Sequence, residues 1–339
     1  MTARILVNPA SGRPRHQRRR VELLRALGRC CGVPVEVTAS GDDLVACARR
    51  AAAEGVERLL VAGGDGSVHL AVQALAGSAT ALGVVPAGTG NDFATAIGAQ
   101  FEPEAAVRHA LEAPIRRVDL GRARIAGRRA PAAAPAAPVG WPEGAPAAGE
   151  PPSGLAGGAA PFPGWVWFST YAGVGFDSET ARRAHQGHRV LSGHAIYIWA
   201  VLATLADFRP PRLTVEHDGG RFDGPAMFVT LANGPAFGGG MRIAPAARND
   251  DGVLDLVIVR AIPRRTLLTV FPKVYVGRHV GHPAVEIVPT RRARIALDRE
   301  MVAYADGEPM LPVGEAGIEA EVAPGALAVC GGASGGRAP

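Results

Sequence analysis

Short unbroken apolar runs alternate with amphipathic stretches through the first 120 residues. Arg4–Val7, Leu59–Val61 and Leu82–Val85 read as strands, because unbroken apolar runs suit strands covered on both faces. Val21–Leu27, Leu44–Ala53, Val68–Ala76 and Ala105–Leu111 place apolar residues at helical spacing. Strand and helix taking turns in this way predict a parallel α/β unit. Beyond Trp165 the rhythm changes to short runs punctuated by Gly, Pro and Asp. These are Val166–Phe168, Leu213–Val215, Ala226–Leu231, Leu254–Val259, Val285–Val288 and Arg294–Leu297. They predict an antiparallel β domain with one helical interruption at Leu191–Leu205. Between the two textures, residues 128–163 are mostly Ala, Pro and Gly. That composition cannot bury enough apolar surface to fold, so a disordered insertion without catalytic residues is expected there.

Three strand-to-helix junctions share one chemistry. Gly63-Gly64-Asp65-Gly66-Ser67 follows the strand at Leu59–Val61 and opens the helix at Val68. Asn8-Pro9-Ala10-Ser11-Gly12 follows the first strand, and Pro86-Ala87-Gly88-Thr89-Gly90-Asn91-Asp92 follows the third, with a helix from Phe93. A strand that stops at glycines and restarts as a helix leaves backbone N–H groups facing a crevice, which is an anion site. Side by side at the carboxyl edge of a parallel sheet, the three loops predict a nucleotide-phosphate site. The middle loop has no lysine and is not a Walker A loop. Phosphate charge must then be met by backbone amides, arginine and a metal.

Composition alters this picture only slightly. The chain has 339 residues, 47% of them hydrophobic, and a net charge of +5, enough for two domains and a sizeable core. Lys273 is the single lysine, so arginine clusters reflect base composition more than nucleic-acid binding. The densest cluster, Arg13, Arg15, Arg18, Arg19 and Arg20, reads first as a solvated helix face and second as a contact for phosphate or an anionic membrane. Cys30, Cys31, Cys47 and Cys330 form no disulfide framework. Met1–Val7 runs straight into a strand, and Ala195–Ala206 falls short of the roughly 20 residues of a spanning helix, so a cytoplasmic protein is expected.

Several carboxylates are candidates for chemistry. Asp65 lies inside the glycine run, where a carboxylate beside phosphate needs a bridging cation; its plainer role is a helix N-cap. Asn91 and Asp92 face the same choice. Asn249-Asp250-Asp251-Gly252-Val253-Leu254-Asp255 and Asp306-Gly307-Glu308 are turn signatures when taken singly. His185, His188, His194, His279 and His282 lack metal-ligand spacing and read as surface or core residues. Ser11 and Ser169 lie in no nucleophile elbow.

Taken in order, six motifs resemble the diacylglycerol and sphingosine kinase catalytic fold in its bacterial branch. They are Asn8–Gly12, Gly63–Ser67, Gly88–Phe93, Ala172-Gly173-Val174-Gly175-Phe176-Asp177, Asp251–Asp255 and Asp306–Glu308. The resemblance implies an α/β nucleotide domain at 1–122, a β-rich lipid domain at 164–310, and a chain end, about 311–330, that returns to the first domain. It implies ATP bound by Asn8, Pro9, Ala10, Ser11, Gly12, Thr38, the Gly63–Ser67 loop and the segment containing Gly88, Thr89, Asn91 and Asp92. It implies a structural Mg²⁺ held by Asp251 with main-chain oxygens near Arg248 and Val253. Glu308 would take the proton of the lipid hydroxyl, with Asp65 also serving the reaction.

The sequence departs from that family in the middle loop. His69 and Leu70 stand where an Asn-Glu pair is usual. The reading that follows is an ATP- and Mg²⁺-dependent kinase acting on diacylglycerol or a related lipid. It would be cytoplasmic and peripherally attached to the membrane, would bind no nucleic acid, and could form a homodimer. The alternatives are an NAD kinase-like enzyme, which shares a Gly-Gly-Asp-Gly loop, or a nucleotide- and lipid-binding regulator with impaired catalysis.

Overall fold

The protein is described by a computed structural model covering residues 2–11, 17–126, 164–186 and 194–332. The expected insertion at 128–163 lies outside the described residues, as do Gly12 and the first three residues of the helix expected at 191–205.

The first unit runs β1 Ala3–Val7, α1 Gln17–Cys31, β2 Val35–Val37, α2 Gly41–Ala53, β3 Arg58–Gly63, α3 Asp65–Leu75, β4 Ala81–Pro86, α4 Asp92–Ala96, α5 Pro103–Glu112 and β5 Ile115–Ile125. Strands β2, β1, β3 and β4 pair in that order, all parallel. Strand β3 is buried from end to end, which accounts for its unbroken apolar run. Alternate residues point to opposite faces. Leu59 and Val61 pack with Leu44, Leu70 and Val72 of α2 and α3, while Leu60 and Ala62 pack with Leu24 of α1 and Ala106 of α5. The sheet is therefore covered by helices on both sides.

The second unit contains β6 Val166–Phe168, β7 Tyr171–Gly175, α6 Phe176–Gln186, α7 His194–Asp207, β8 Arg212–His217, β9 Gly220–Ala232, β10 Leu254–Arg260, α8 Arg264–Val274, β11 Val285–Thr290, β12 Arg292–Leu297, β13 Met301–Ala305, β14 Glu308–Val313 and β15 Ile318–Cys330. The pairings of β9 with β7, β8 and β10 are all antiparallel. One face of this sandwich forms a core around Val174, Val215, Val229, Leu256 and Ile295. The opposite face, with Met227, Val257 and Val259, is closed by Val201 of α7 and by Leu267 and Val274 of α8. Sequence reading did not anticipate α8, because Pro272 interrupts its pattern from within.

The chain end joins the units through β15. Its length pairs with β5, from Ile318 opposite Ile125 to Cys330 opposite Ile115. Its beginning also pairs with β12, and Val329 near its end pairs with Leu82 of β4. Pro312 and Val313, by contrast, pair with β13 inside the second unit, so β15 alone carries the return. No helix among the described residues is long and apolar enough to cross a membrane.

Candidate functional site

The three glycine loops meet at the carboxyl ends of β1, β3 and β4. Gly64 is the N-cap of α3 and supplies no side-chain cap, so the first N–H groups of that helix keep their donors for an anion. The second and third loops touch backbone to backbone: a Cβ on Gly88 would lie 2.6 Å from the Cα of Gly64. The first loop is tied to the second through side chains. Asn8 Nδ2 donates to Ser67 Oγ at 2.9 Å, and Ser11 Oγ lies 3.0 Å from the same oxygen. Asn8 Oδ1 accepts the Ala10 N–H at 3.0 Å, which turns the chain over Pro9. Arg20 donates to the Ser11 carbonyl, so one arginine of the basic cluster braces this loop, while Arg18 and Arg19 are exposed. Thr38 is buried at the end of β2, with its N–H and hydroxyl both on the Val7 carbonyl.

Asp65 does not cap its own helix. Its carboxylate accepts the N–H groups of Asn91 at 2.7 Å and Asp92 at 2.9 Å, where α4 begins. Burial, and then the charge of Asp92, push its carboxyl up to about 6. Asn91 has a positive φ of 56° and no capping bond to its helix; its side chain instead closes on Gly88, accepting its N–H and donating to its carbonyl, each at 3.0 Å. Asp92 accepts the N–H groups of Gly239 at 3.1 Å and Gly240 at 3.0 Å from the second unit. Burial raises its carboxyl as well.

Asp306 is far more than a turn residue. It takes a left-handed φ of 51°, and its buried carboxylate accepts from the backbone N–H groups of Ser169, Thr170 and Tyr171. The hydroxyls of Ser169 and Thr170 donate to it, and His69 Nδ1 of α3 lies 3.2 Å away. Burial pushes this carboxyl up, but the bonds from His69, Thr170 and Ser169 outweigh it and leave it below the ordinary value. Two residues on, Glu308 opens β14 and leans over the Gly63–Ser67 loop: a Cβ on Gly66 would lie 2.7 Å from Glu308 Oε1. A side chain from the second unit thus meets the Gly63–Ser67 loop of the first, and any larger residue at position 66 would have to displace the Glu308 carboxylate.

A cavity of about 480 Å³ begins at this meeting point. Asp65, Gly66, Thr89, Asp92, Asp306 and Glu308 line one end, and the other end is walled by Phe176, Val201, Phe228, Val259, Phe271 and Val274. Sequence reasoning gave Asp177 no role, yet it lines the same cavity, and one of its oxygens has no partner. Burial lifts its carboxyl to about 6. His279 and His282 also line the cavity. His279 is a buried residue whose Nε2 faces the Ile243 carbonyl at 3.0 Å. His185, His188 and His194 fall outside the described side chains.

The proposed metal loop lies elsewhere. Arg248 pairs with Asp250, and the Val253 N–H donates to Asp251 Oδ1 at 3.3 Å. Asp119 of β5 fastens the turn by accepting the N–H groups of Gly252 and Gly325, each at 2.7 Å. None of Arg248, Asp251 or Val253 lines the cavity. Asp255 is pushed up to about 6 by burial and by the charge of Asp251, a like-charge pair that a cation would relieve. Among the described residues no three His, Cys, Asp or Glu side chains converge, so a divalent ion here would rest on Asp251, main-chain oxygens and water.

Comparison with known proteins agrees with this architecture. Residues 2–123 match the diacylglycerol kinase catalytic domain, and residues 170–331 match the YegS C-terminal NAD kinase beta sandwich-like domain. A diacylglycerol kinase of Mycobacterium tuberculosis (strain CDC 1551 / Oshkosh) is 31% identical over 83% of this chain and 81% of its own. The chain belongs to the diacylglycerol kinase-like family of lipid kinases. A diacylglycerol kinase of Bacillus subtilis (strain 168) is 25% identical over 90% of this chain and 89% of its own. A solved diacylglycerol kinase structure from Bacillus anthracis str. Sterne shares the fold, with a TM-score of 0.64 at 18% identity over 98% of this chain and 97% of that one. This lipid kinase departs from the resemblance at His69 and Leu70, and both positions are structural. Leu70 is 6% exposed in the core between α2 and α3. His69 connects α3 to Asp306, and Gln73 Nε2 lies 3.4 Å from its ring while bonding the Trp167 backbone.

Proposed function

We propose that this lipid kinase transfers the γ-phosphoryl group of ATP to the hydroxyl of diacylglycerol or a related lipid. The observation that supports this reading best is the cavity itself, which joins an anion-binding helix terminus to apolar walls across the boundary between the two units. A phosphate tail and an acyl chain need those two environments side by side.

In this reading the first unit, with the end of β15, holds the nucleotide. The N–H groups at the start of α3 and the loops around Asn8–Gly12, Gly63–Ser67 and Gly88–Asp92 receive the phosphates, with Thr38 beside them. Asp65 and Asp92 are carboxylates whose affinity for protons is raised, first of all by burial. That donor set of hard oxygens fits Mg²⁺ carried in with the nucleotide, and Asp251 with the main chain near Arg248 and Val253 fits a second, structural ion. Mg²⁺ bound with the phosphates would supply charge neutralisation at the transferring group. Glu308 faces the loop from the lipid side. The lipid oxygen attacks the γ-phosphorus, its proton passes to Glu308, and the bond to the ADP oxygen breaks.

The kinase would work at the membrane surface from the cytoplasmic side, since the acceptor resides in the bilayer. The test is incubation with γ-labelled ATP and Mg²⁺ against a total lipid extract, followed by identification of the labelled product. Label in a phospholipid product is the expected result. Label on NAD and on no lipid would favour an NAD kinase-like activity. Nucleotide binding with no labelled product would leave a regulator.

A further inference from the structure

We propose that the outer face of α8 and the turn behind it dock on an anionic lipid bilayer, an inference that rests on the lipid acceptor assigned above. Helix α8 is a wall with two apolar sides. Leu267, Val270, Phe271 and Val274 face the cavity. Leu268, one position round the helix, is 51% exposed, and the following turn leaves Tyr275 at 39%, Val276 at 61% and Val280 at 44%. Leu268 and Tyr275 are seven residues apart and share one helical face. Among the described residues, four of the eight large exposed hydrophobics fall between 268 and 280, whereas isolated ones would need no explanation.

Charge selects the occupant. From Ala261 to Val285 the chain has no Asp or Glu, and it carries Arg264, Arg265, Lys273 and Arg278, all exposed. Arg265, Lys273 and Arg278 form no ion pair with any described residue. Apolar side chains rimmed by unpaired basic ones match the interface of a bilayer with anionic headgroups. A second copy of the chain fits poorly, because a two-fold contact through this face would set one basic rim against the other. The position also suits the acceptor. The opposite side of the same helix lines the cavity.

Sedimentation of the full-length protein with large unilamellar vesicles tests the proposal. Binding is expected to vesicles containing phosphatidylglycerol, weaker at high salt, and poor to phosphatidylcholine alone. The double substitution Leu268→Asp with Val276→Asp should lower it roughly tenfold or more with an unchanged melting curve. Lys273→Glu with Arg278→Glu should lower binding to the anionic vesicles about tenfold. Neither pair lines the cavity, so both variants should still label a detergent-dispersed short-chain diacylglycerol. Wild-type vesicle binding by both variants would overturn the assignment. So would variants that change the mass in sedimentation velocity instead of vesicle binding, since that outcome identifies a second copy. Docking needs no turnover, so a protein that binds vesicles but labels no lipid refutes the enzymatic reading alone. An active kinase whose vesicle binding ignores both pairs refutes the docking face alone.

Discussion

Asp65 and Glu308 face one cavity from opposite units, and their surroundings assign them different work. Asp65 is held by two backbone N–H groups at the head of α4, so it shapes the loops proposed to receive the phosphates. Glu308 stands over Gly66 and lines the cavity, and in the proposed reaction it faces the incoming lipid hydroxyl. Glu308→Gln should therefore leave ATP affinity unchanged and cut turnover by roughly 10²–10⁴-fold, the usual weight of general-base catalysis. Asp65→Asn should weaken both, because its amide would turn a donor toward one of the two N–H groups. The reverse pattern in paired binding and rate measurements would make Asp65 the base. Asp177 carries a pH prediction. Its carboxyl is raised to about 6 by burial, so the folded state holds its proton more tightly than the unfolded chain does. The associated stability is present at low pH and is lost as pH rises through about 6, at a cost of up to about 3 kcal/mol. Asp177→Asn should flatten the dependence of stability between about pH 3.5 and about pH 6.5 and raise it at the upper end. Denaturant unfolding at those two pH values would exclude Asp177 as the source if wild type and variant lost stability equally.

Helix α3 shows what an element adds to its residues. Its first turn is the proposed anion site, His69 reaches across to Asp306, and Leu70 fills the core against α2. Leu70→Glu, which restores the acidic residue usual in the family resemblance, should then bury a charge without a partner and destabilise the protein by several kcal/mol, on the order of 3. A thermal melt of the purified variant checks this, and an unchanged midpoint would mean that the position opens to the phosphates. The three glycine loops were legible in the sequence because a strand, a glycine turn and a helix start are local events. The partners of Asp65 and Asp306 were not. Asp65 caps a helix 26 residues away, and Asp306 gathers N–H groups 135 to 137 residues away, distances over which no periodicity extends. Helix α8 was hidden for a local reason, the internal Pro272. Asp177 was visible inside a motif, but its buried setting depends on packing around the cavity.

At the scale of the molecule, several connections among the described residues fix one unit against the other. Asp92 holds the Gly239–Gly240 loop, His69 meets Asp306, and β5 runs alongside β15 through both units. The segment at 127–163 enters and leaves this frame at neighbouring points. Gly121 and Ala123 of β5 pair with Phe168 and Val166 of β6, so the two ends are the arms of an antiparallel pair. Trp165 secures the exit, with the guanidinium groups of Arg122 and Arg124 at 4.3 and 4.5 Å from its ring. Removing residues 129–161 would leave four residues, 127, 128, 162 and 163, to join arms that are already adjacent. The entropy of closing so much shorter a loop favours folding by about 2 kcal/mol. The deletion variant should thus melt at or slightly above the wild-type temperature and label lipid at the same rate. A loss of roughly 5 °C or more, well beyond what a surface connection costs, would mean that residues 129–161 bury surface against the frame and belong to the fold.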